Sequence, residues 1–280
     1  MPSQNSASRS LGAFVRRHPV GTYFALTFVV SRMGALAVAA ALPLMHHEPL
    51  QKMTGILMFP AMLLGPCLIA IALTGLLDGR AGVRDLFSQI FRSHPPARWY
   101  APLLIPPVLI LTVLFCLTAW VSPIFAPNRF LTGVLFGVPA GLLEEVGWTG
   151  YAFPRMRSQT NALTPSILLG LLWSMWHIPV INYLGTATPP GDSWLSFFAA
   201  FTVAMTAMRV LIGWIYANTR SVWLAQLTHV SSTGSLVIFS PPHVTGAQEA
   251  MWYLFYGTVL WLIVAIIAKS HGKSPTLPSA

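Results

Sequence analysis

Charge is what this sequence has least of. Only 8% of its residues are charged and 55% belong to the hydrophobic set, whereas ordinary soluble domains carry roughly 25% charged residues. A water-soluble chain needs charge to cover its surface, while lipid removes that need and favours helices whose backbone groups are satisfied internally. The scarcity of charge argues against a water-soluble fold and predicts one polytopic membrane domain.

Cysteine is also scarce. Cys67 and Cys116 both lie in the middle of apolar runs, where a small, weakly polar side chain packs like a hydrophobic one. This placement argues against a disulfide framework and against a thiol nucleophile.

A basic stripe is lacking too, although the net charge is +9. The Lys and Arg residues are scattered among apolar stretches and form no tract of the kind that binds nucleic acid. We therefore expect no nucleic-acid partner, and the basic residues are better explained by membrane orientation.

Long apolar runs make up most of the chain. They lie near residues 20–44, 55–77, 101–121, 130–153, 163–184, 194–217, 222–238 and 251–268. Most match the roughly 17–25 residues that a helix needs to cross about 30 Å of hydrocarbon. We therefore expect an all-α, polytopic integral membrane bundle of about eight transmembrane helices over residues 20–269, between a basic tail at 1–19 and a second tail at 270–280.

The positions of the basic residues predict the orientation, because Lys and Arg stay on the cytoplasmic side. They follow alternate apolar runs: Arg80, Arg84, Arg92 and Arg98 after the second, Arg155 and Arg157 after the fourth, Arg220 after the sixth, and Lys269 and Lys273 after the eighth. This alternation predicts that both termini are cytoplasmic, with the cell membrane as the expected location.

The segment between the second and third runs has two interpretations. Apolar residues recur at helical spacing among its arginines, at Val83, Leu86, Phe87, Ile90 and Phe91. An amphipathic helix on the inner membrane interface fits this pattern, and an ordinary basic loop fits it about equally well.

Two adjacent acidic residues, Glu144 and Glu145, lie within the fourth apolar run. An ionised carboxylate there costs several kcal/mol unless it has a partner or a water-filled cavity. Two imidazoles, His177 and His229, lie in other runs at depths that helix tilt can equalise. The four side chains therefore predict one polar cavity, whereas we expect Arg209 and Arg32 to bond carbonyls or to snorkel.

Water activation is the chemistry that suits this set. A carboxylate can take a proton from water, while imidazoles orient that water, hold a metal or stabilise an oxyanion. Because neighbouring helical positions point about 100° apart, we expect Glu144 and Glu145 to divide these roles.

Three segments resemble the motifs of the CAAX-protease and bacteriocin-processing family. Residues 141–155, Gly-Leu-Leu-Glu-Glu-Val-Gly-Trp-Thr-Gly-Tyr-Ala-Phe-Pro-Arg, are similar to its first motif, a Glu-Glu pair followed four residues later by Arg. Trp173 and His177 match the second motif, an aromatic residue four positions before a His. His229 and Thr233 resemble the third, a His followed four positions later by Asn or another small polar residue.

Two positions depart from the family pattern. Thr149 stands where the family usually has Arg, and Thr233 where it often has Asn. The family's Arg would pair with a carboxylate and hold it ionised and oriented, so Thr149 bears on activity. Thr233 is the milder change because it keeps a hydroxyl on the face that carries His229.

The resemblance implies an all-helical membrane bundle, with the family core at about 130–240, and an intramembrane endopeptidase acting on membrane-associated proteins or peptides. It implies that the catalytic residues are Glu144, Glu145, His177 and His229. It also implies that Trp173, Thr149 and Thr233 are supporting positions. The cofactor stays open, since zinc held by Glu145, His177 and His229 and a metal-free glutamate mechanism both fit and no His-Glu-x-x-His motif is present.

Two other classes of function remain open. A catalytically inactive relative acting as a binder, chaperone or immunity-type protein is motivated by Thr149. A proton-coupled transporter fits intramembrane Glu and His, although the inverted repeats of many transporters are not visible. The expected partners are the lipid bilayer and a membrane-associated protein or peptide substrate, while the sequence identifies neither the oligomeric state nor the cleaved bond.

Overall fold

The protein is all-helical in the part of the chain that the structure describes. The computed structural model describes residues 12–45, 51–92, 95–157, 162–184 and 191–270, and none of these residues forms a strand. This confirms the all-α prediction. Residues 1–11 and 271–280, in the two predicted tails, lie outside the described residues, so the cytoplasmic location of the termini stays a prediction.

The following helices form most of the bundle. They are α1 (Pro19–Met45), α2 (Gln51–Arg92), α3 (Ile105–Trp120), α4 (Leu163–Trp176), α5 (Ile178–Leu184), α6 (Trp194–Thr219), α7 (Val222–Phe239) and α8 (Gly246–Ser270). A 3₁₀ helix, Ala97–Leu104, leads into α3. Large apolar side chains such as Met33, Leu36 and Ile266 are exposed on the outer faces, as expected of a surface that contacts lipid.

Five helical segments of the described residues are long and apolar enough to cross a membrane singly. They are Pro19–Ala41, Thr54–Phe91, Ala97–Trp120, Trp194–Thr219 and Gly246–Lys269. Helices α4 and α5 together form a sixth candidate, bent by 51° between them. The chain is therefore an integral membrane protein, but the expected count of eight spans is not confirmed. Two expected spans are missing from these candidates: the apolar run at 130–153 is broken into short pieces, and α7 contains many polar side chains.

Helix α2 breaks at Gly79. Its backbone angles, φ 67° and ψ −163°, lie in a region that glycine adopts readily and other residues do not. Residues 80–92 continue as a second helical piece in which Leu86 is buried and Arg80 and Arg84 are exposed. Of the two interpretations of this segment, the structure shows the helix and not the loop.

A composite helix, residues 134–156, lies at the centre of the bundle between α3 and α4. It consists of three short α-helical pieces, Val134–Pro139, Glu145–Gly147 and Phe153–Met156, joined by π-helical turns at Ala140–Glu144 and Trp148–Ala152. Single π-helical turns occur frequently at functional sites. The two turns flank Glu145, and residues 144–153 are all buried.

Close helix crossings hold the composite helix and its neighbours together. A Cβ atom at Gly141 would lie 2.6 Å from the carbonyl oxygen of Gln226 on α7, and one at Gly170 on α4 would lie 2.7 Å from Thr206 Cα on α6. Both positions therefore require glycine for the backbones to approach, as small residues do at membrane helix interfaces. These crossings bring four helices together around the predicted site.

Candidate active site

Glu144 is held through one oxygen. Its side chain is buried, and its Oε2 atom accepts hydrogen bonds from the indole nitrogens of Trp148, at 3.0 Å, and Trp173, at 2.7 Å. Its Oε1 atom has no hydrogen-bond partner among the described residues. One oxygen is thus fixed in place while the other keeps its capacity to accept a proton.

Glu145 is bound through both oxygens. Arg209 Nη1 donates to Oε2 at 2.9 Å and Arg209 Nη2 to Oε1 at 2.8 Å, and the hydroxyl of Thr149 donates to Oε2. The Glu145 and Arg209 side chains are 0% and 1% exposed. Two parallel bonds of this kind combine charge compensation with a fixed orientation, which a buried carboxylate requires.

His229 is bonded to Glu145 through one ring nitrogen. Its Nδ1 atom lies 2.7 Å from Glu145 Oε1. Since that carboxylate is already paired with a guanidinium and acts as an acceptor, Nδ1 carries the proton of this bond. The other ring nitrogen, Nε2, is buried and has no partner among the described residues. It can accept a hydrogen bond or, once protonated, donate one.

His177 lies at the bend between α4 and α5 and is half-buried. Its Nδ1 atom is 2.8 Å from the backbone oxygen of Trp173, which accepts, so Nδ1 donates and Nε2 is the acceptor of the neutral ring. The aromatic rings of Trp173, Trp176 and Phe201 surround the imidazole at centroid distances of 5.0, 4.9 and 5.5 Å. These contacts fix the ring plane.

Trp173 links the two halves of the site. Its ring centroid is 5.0 Å from that of His177 and 5.1 Å from that of His229. The guanidinium carbon of Arg209 lies over the same ring at 4.4 Å, while the indole nitrogen bonds Glu144. Trp173 therefore contacts both imidazoles, one carboxylate and the cation that holds the other carboxylate.

Of the four predicted titratable side chains, Glu144, His177 and His229 thus contact Trp173, and Glu145 is bonded to His229. Glu144 and Glu145 have different partners, as their helical spacing predicts. Of the supporting positions, Trp173 and Thr149 are in direct contact with the two carboxylates. Thr233 is half-buried one turn beyond His229 and makes no side-chain hydrogen bond to another described residue.

Arg209 corrects the sequence analysis. The expectation that it bonds carbonyls or snorkels is wrong, because its guanidinium is buried and pairs with Glu145. Sequence reasoning contained the signal that could have found it: an ionisable residue in the middle of an apolar run marks a functional site by default. The rule holds for this cation as it does for the acids and imidazoles.

The zinc ligand set suggested by the sequence does not fit this arrangement. Both oxygens of Glu145 are bonded to Arg209, and His229 uses Nδ1 on the same carboxylate. Among the described residues, no three His, Cys, Asp or Glu side chains are placed to hold one metal ion. Zinc binding stays a prediction, which metal analysis of the purified protein tests.

Comparison with known proteins covers the same part of the chain. Residues 126–235, which contain every side chain of this site, match the family described as type II CAAX prenyl endopeptidase Rce1-like. The chain is also 32% identical over 143 residues to a CAAX prenyl protease 2 of Methanococcus maripaludis, an alignment that covers 45% of this chain and 51% of that protein. The chain thus spans about half the length of this curated relative.

These matches confirm the family resemblance seen in the sequence. The fold and the site define an integral membrane protein with a buried glutamate and histidine centre. Over residues 126–235 the chain is similar to the Rce1-like family of type II CAAX prenyl endopeptidases.

Proposed function

We propose that the protein is an intramembrane endopeptidase that hydrolyses peptide bonds of membrane-associated proteins or peptides, with Glu144 as the general base. One observation carries the proposal: Glu144 is fixed through Oε2 by two indole donors while Oε1 accepts no bond from a described residue. Glu145 is less suited to take a proton because a guanidinium binds both of its oxygens.

The proposed reaction uses Glu144 Oε1 and the Nε2 atoms of His177 and His229. A water molecule gives a proton to Glu144 Oε1 while its oxygen attacks the carbonyl carbon of the scissile peptide bond. The imidazoles of His177 and His229 orient the water through Nε2 or, when protonated, donate to the oxyanion that forms. When the carbon–nitrogen bond breaks, the proton on Glu144 passes to the leaving nitrogen, which yields a carboxylic acid and an amine.

The substrate class is suggested by the relative. Because that protein is named a CAAX prenyl protease, a peptide with a prenylated cysteine near its C-terminus is the first substrate to test. The lipid chain would hold such a peptide at the membrane, at the surface where the bundle exposes apolar side chains.

The test is cleavage of a prenylated CAAX peptide by the full chain reconstituted in liposomes, with products identified by mass spectrometry. We expect Glu144→Gln to lower kcat by roughly 100- to 10,000-fold, the usual contribution of a general base. Asp192→Asn, which changes an exposed acid outside the site, is the matched control and should cleave at the wild-type rate. Wild-type activity in Glu144→Gln would refute the assignment.

The two other function classes are not proposed. The inactive relative was motivated by Thr149, and Glu145 nevertheless has a buried cationic partner in Arg209. No contact among the described residues specifically favours a proton-coupled transporter.

A further inference from the structure

The first motif of this chain has threonine where a cation would be expected, but the carboxylate that such a cation would hold is paired from another helix. We propose that Arg209 on α6 is the positioning residue for Glu145 and replaces an arginine at position 149. The inference rests on the proposed function, since it assigns a role within the same site.

Position 149 and Arg209 reach the same atom. The hydroxyl of Thr149 and the Nη1 atom of Arg209 both donate to Glu145 Oε2. A longer side chain at position 149 would therefore compete with Arg209 for this carboxylate. One guanidinium compensates the single charge of the Glu145 carboxylate, and a threonine at position 149 leaves that role to Arg209.

The crossing of α4 and α6 places Arg209. Gly170 and Thr206 are the residues in close backbone contact, and Trp173 and Arg209 each follow three positions later on their own helices. The two helices run antiparallel, because Ser166 lies against Gly213 and His177 against Phe201. Trp173 and Arg209 therefore lie on opposite sides of the crossing, and the long Arg209 side chain reaches across it and places its guanidinium 4.4 Å from the centroid of the indole ring. The ion pair with Glu145 and the indole ring together hold Arg209 in this position.

Arg209 acts through other residues and not on the reacting atoms. Its bonds to Glu145 fix the carboxylate that accepts the hydrogen bond from His229 Nδ1. Because Nδ1 faces Glu145, the Nε2 atom of His229 points away from it. Its contact with the Trp173 ring supports the indole that holds Glu144. Loss of Arg209 should therefore displace the base and one imidazole together.

The experiment compares four reconstituted proteins on the prenylated peptide: wild type, Arg209→Met, Thr149→Arg, and the double variant Thr149→Arg/Arg209→Met. Arg209→Met leaves Glu145 without its cation, and we expect kcat to fall on the order of 100-fold with little change in KM, the cost of misplaced catalytic groups. Thr149→Arg places two guanidinium groups at one carboxylate and should also lose activity. The double variant supplies one cation from the composite helix and should recover to within about 10-fold of wild type.

Two further variants separate positioning from general stability. Arg209→Lys keeps the charge but not the two parallel bonds, and we expect an intermediate kcat, about 10-fold below wild type, with KM unchanged. Arg32→Met removes an exposed arginine of an apolar helix that lies near the Phe28 ring and should behave like wild type.

The double variant decides the inference. A folded double variant no more active than Arg209→Met would overturn it, and so would wild-type kcat in Arg209→Met or Arg209→Lys. If Arg209→Met does not fold, the double variant and Arg209→Lys still decide. If the wild-type protein cleaves no prenylated peptide, the proposed function fails separately, and thermal melting then tests the pairing: Arg209→Met must lower the melting temperature and the double variant must restore it.

Discussion

At the scale of single residues, the site depends on how each buried polar atom is shared. Glu145 has both oxygens occupied, whereas Glu144 and His229 each keep one atom without a partner among the described residues. Trp173 lies between these groups: its indole nitrogen donates a hydrogen bond to Glu144, and its ring contacts His177, His229 and Arg209. Removal of the Trp173 indole nitrogen should therefore lower kcat in protein that still folds.

Trp173→Phe tests this reasoning. The substitution removes the indole donor to Glu144 but keeps an aromatic ring against the imidazoles, and a hydrogen bond to a charged group contributes about 1.5–3 kcal/mol. We expect kcat of the folded variant to fall by about 10-fold or more, together with a moderately lower melting temperature, because the lost bond also stabilises the fold. Trp176→Phe is the matched control, because the indole nitrogen of this buried residue has no partner among the described residues. Equal losses in the two variants would contradict the role given to the Trp173 nitrogen.

The sequence could predict Glu144, Glu145, His177 and His229 because a charge or an imidazole in an apolar run is costly without a function. It could not predict that Arg209 pairs with Glu145, since pairing depends on which helix faces meet. The sequence shows which side chains need partners, and only the packing shows which partners they have.

At the scale of helices, glycines set how closely the elements that carry the site approach. The crossing at Gly170 holds α4, which carries Trp173, against α6, which carries Arg209, and the approach at Gly141 sets the composite helix against α7, which carries His229. The long apolar helices were predictable from run length. The π-helical turns and the break at Gly79 were not, because local backbone geometry leaves no periodic signal in the sequence.

Gly170→Val tests the crossing. A branched side chain would meet the Thr206 backbone of α6, and overpacking of this kind costs roughly 1–3 kcal/mol. We expect a lower melting temperature and a larger fractional loss of peptide cleavage than of folded protein. The control is Gly234→Ala on α7, where an added Cβ has no atom within 4 Å and alanine favours the helix by about 1 kcal/mol. Gly170→Val with wild-type kcat would show that the crossing does not position the site.

At the scale of the whole molecule, polarity is distributed as expected for a chain in lipid. Large apolar side chains are exposed on the outside, while two carboxylates, an arginine and an imidazole are fully buried in the centre. The membrane class was predictable because low charge leaves few alternatives. The number of spans was not predictable. The composite helix is long enough to span a membrane but is broken into short pieces, and α7 is long enough but carries many polar side chains.

The central claim is that the Glu144 carboxylate takes the proton of the attacking water, and chemical rescue tests it most directly. The measurement is single-turnover cleavage of the prenylated peptide by Glu144→Ala and by Glu145→Ala, each with and without added formate. The account predicts that formate restores part of the cleavage rate of Glu144→Ala, since a small carboxylate can replace the missing base, and does nothing for Glu145→Ala. Wild-type cleavage by Glu144→Ala without formate, or rescue of Glu145→Ala instead, would contradict it.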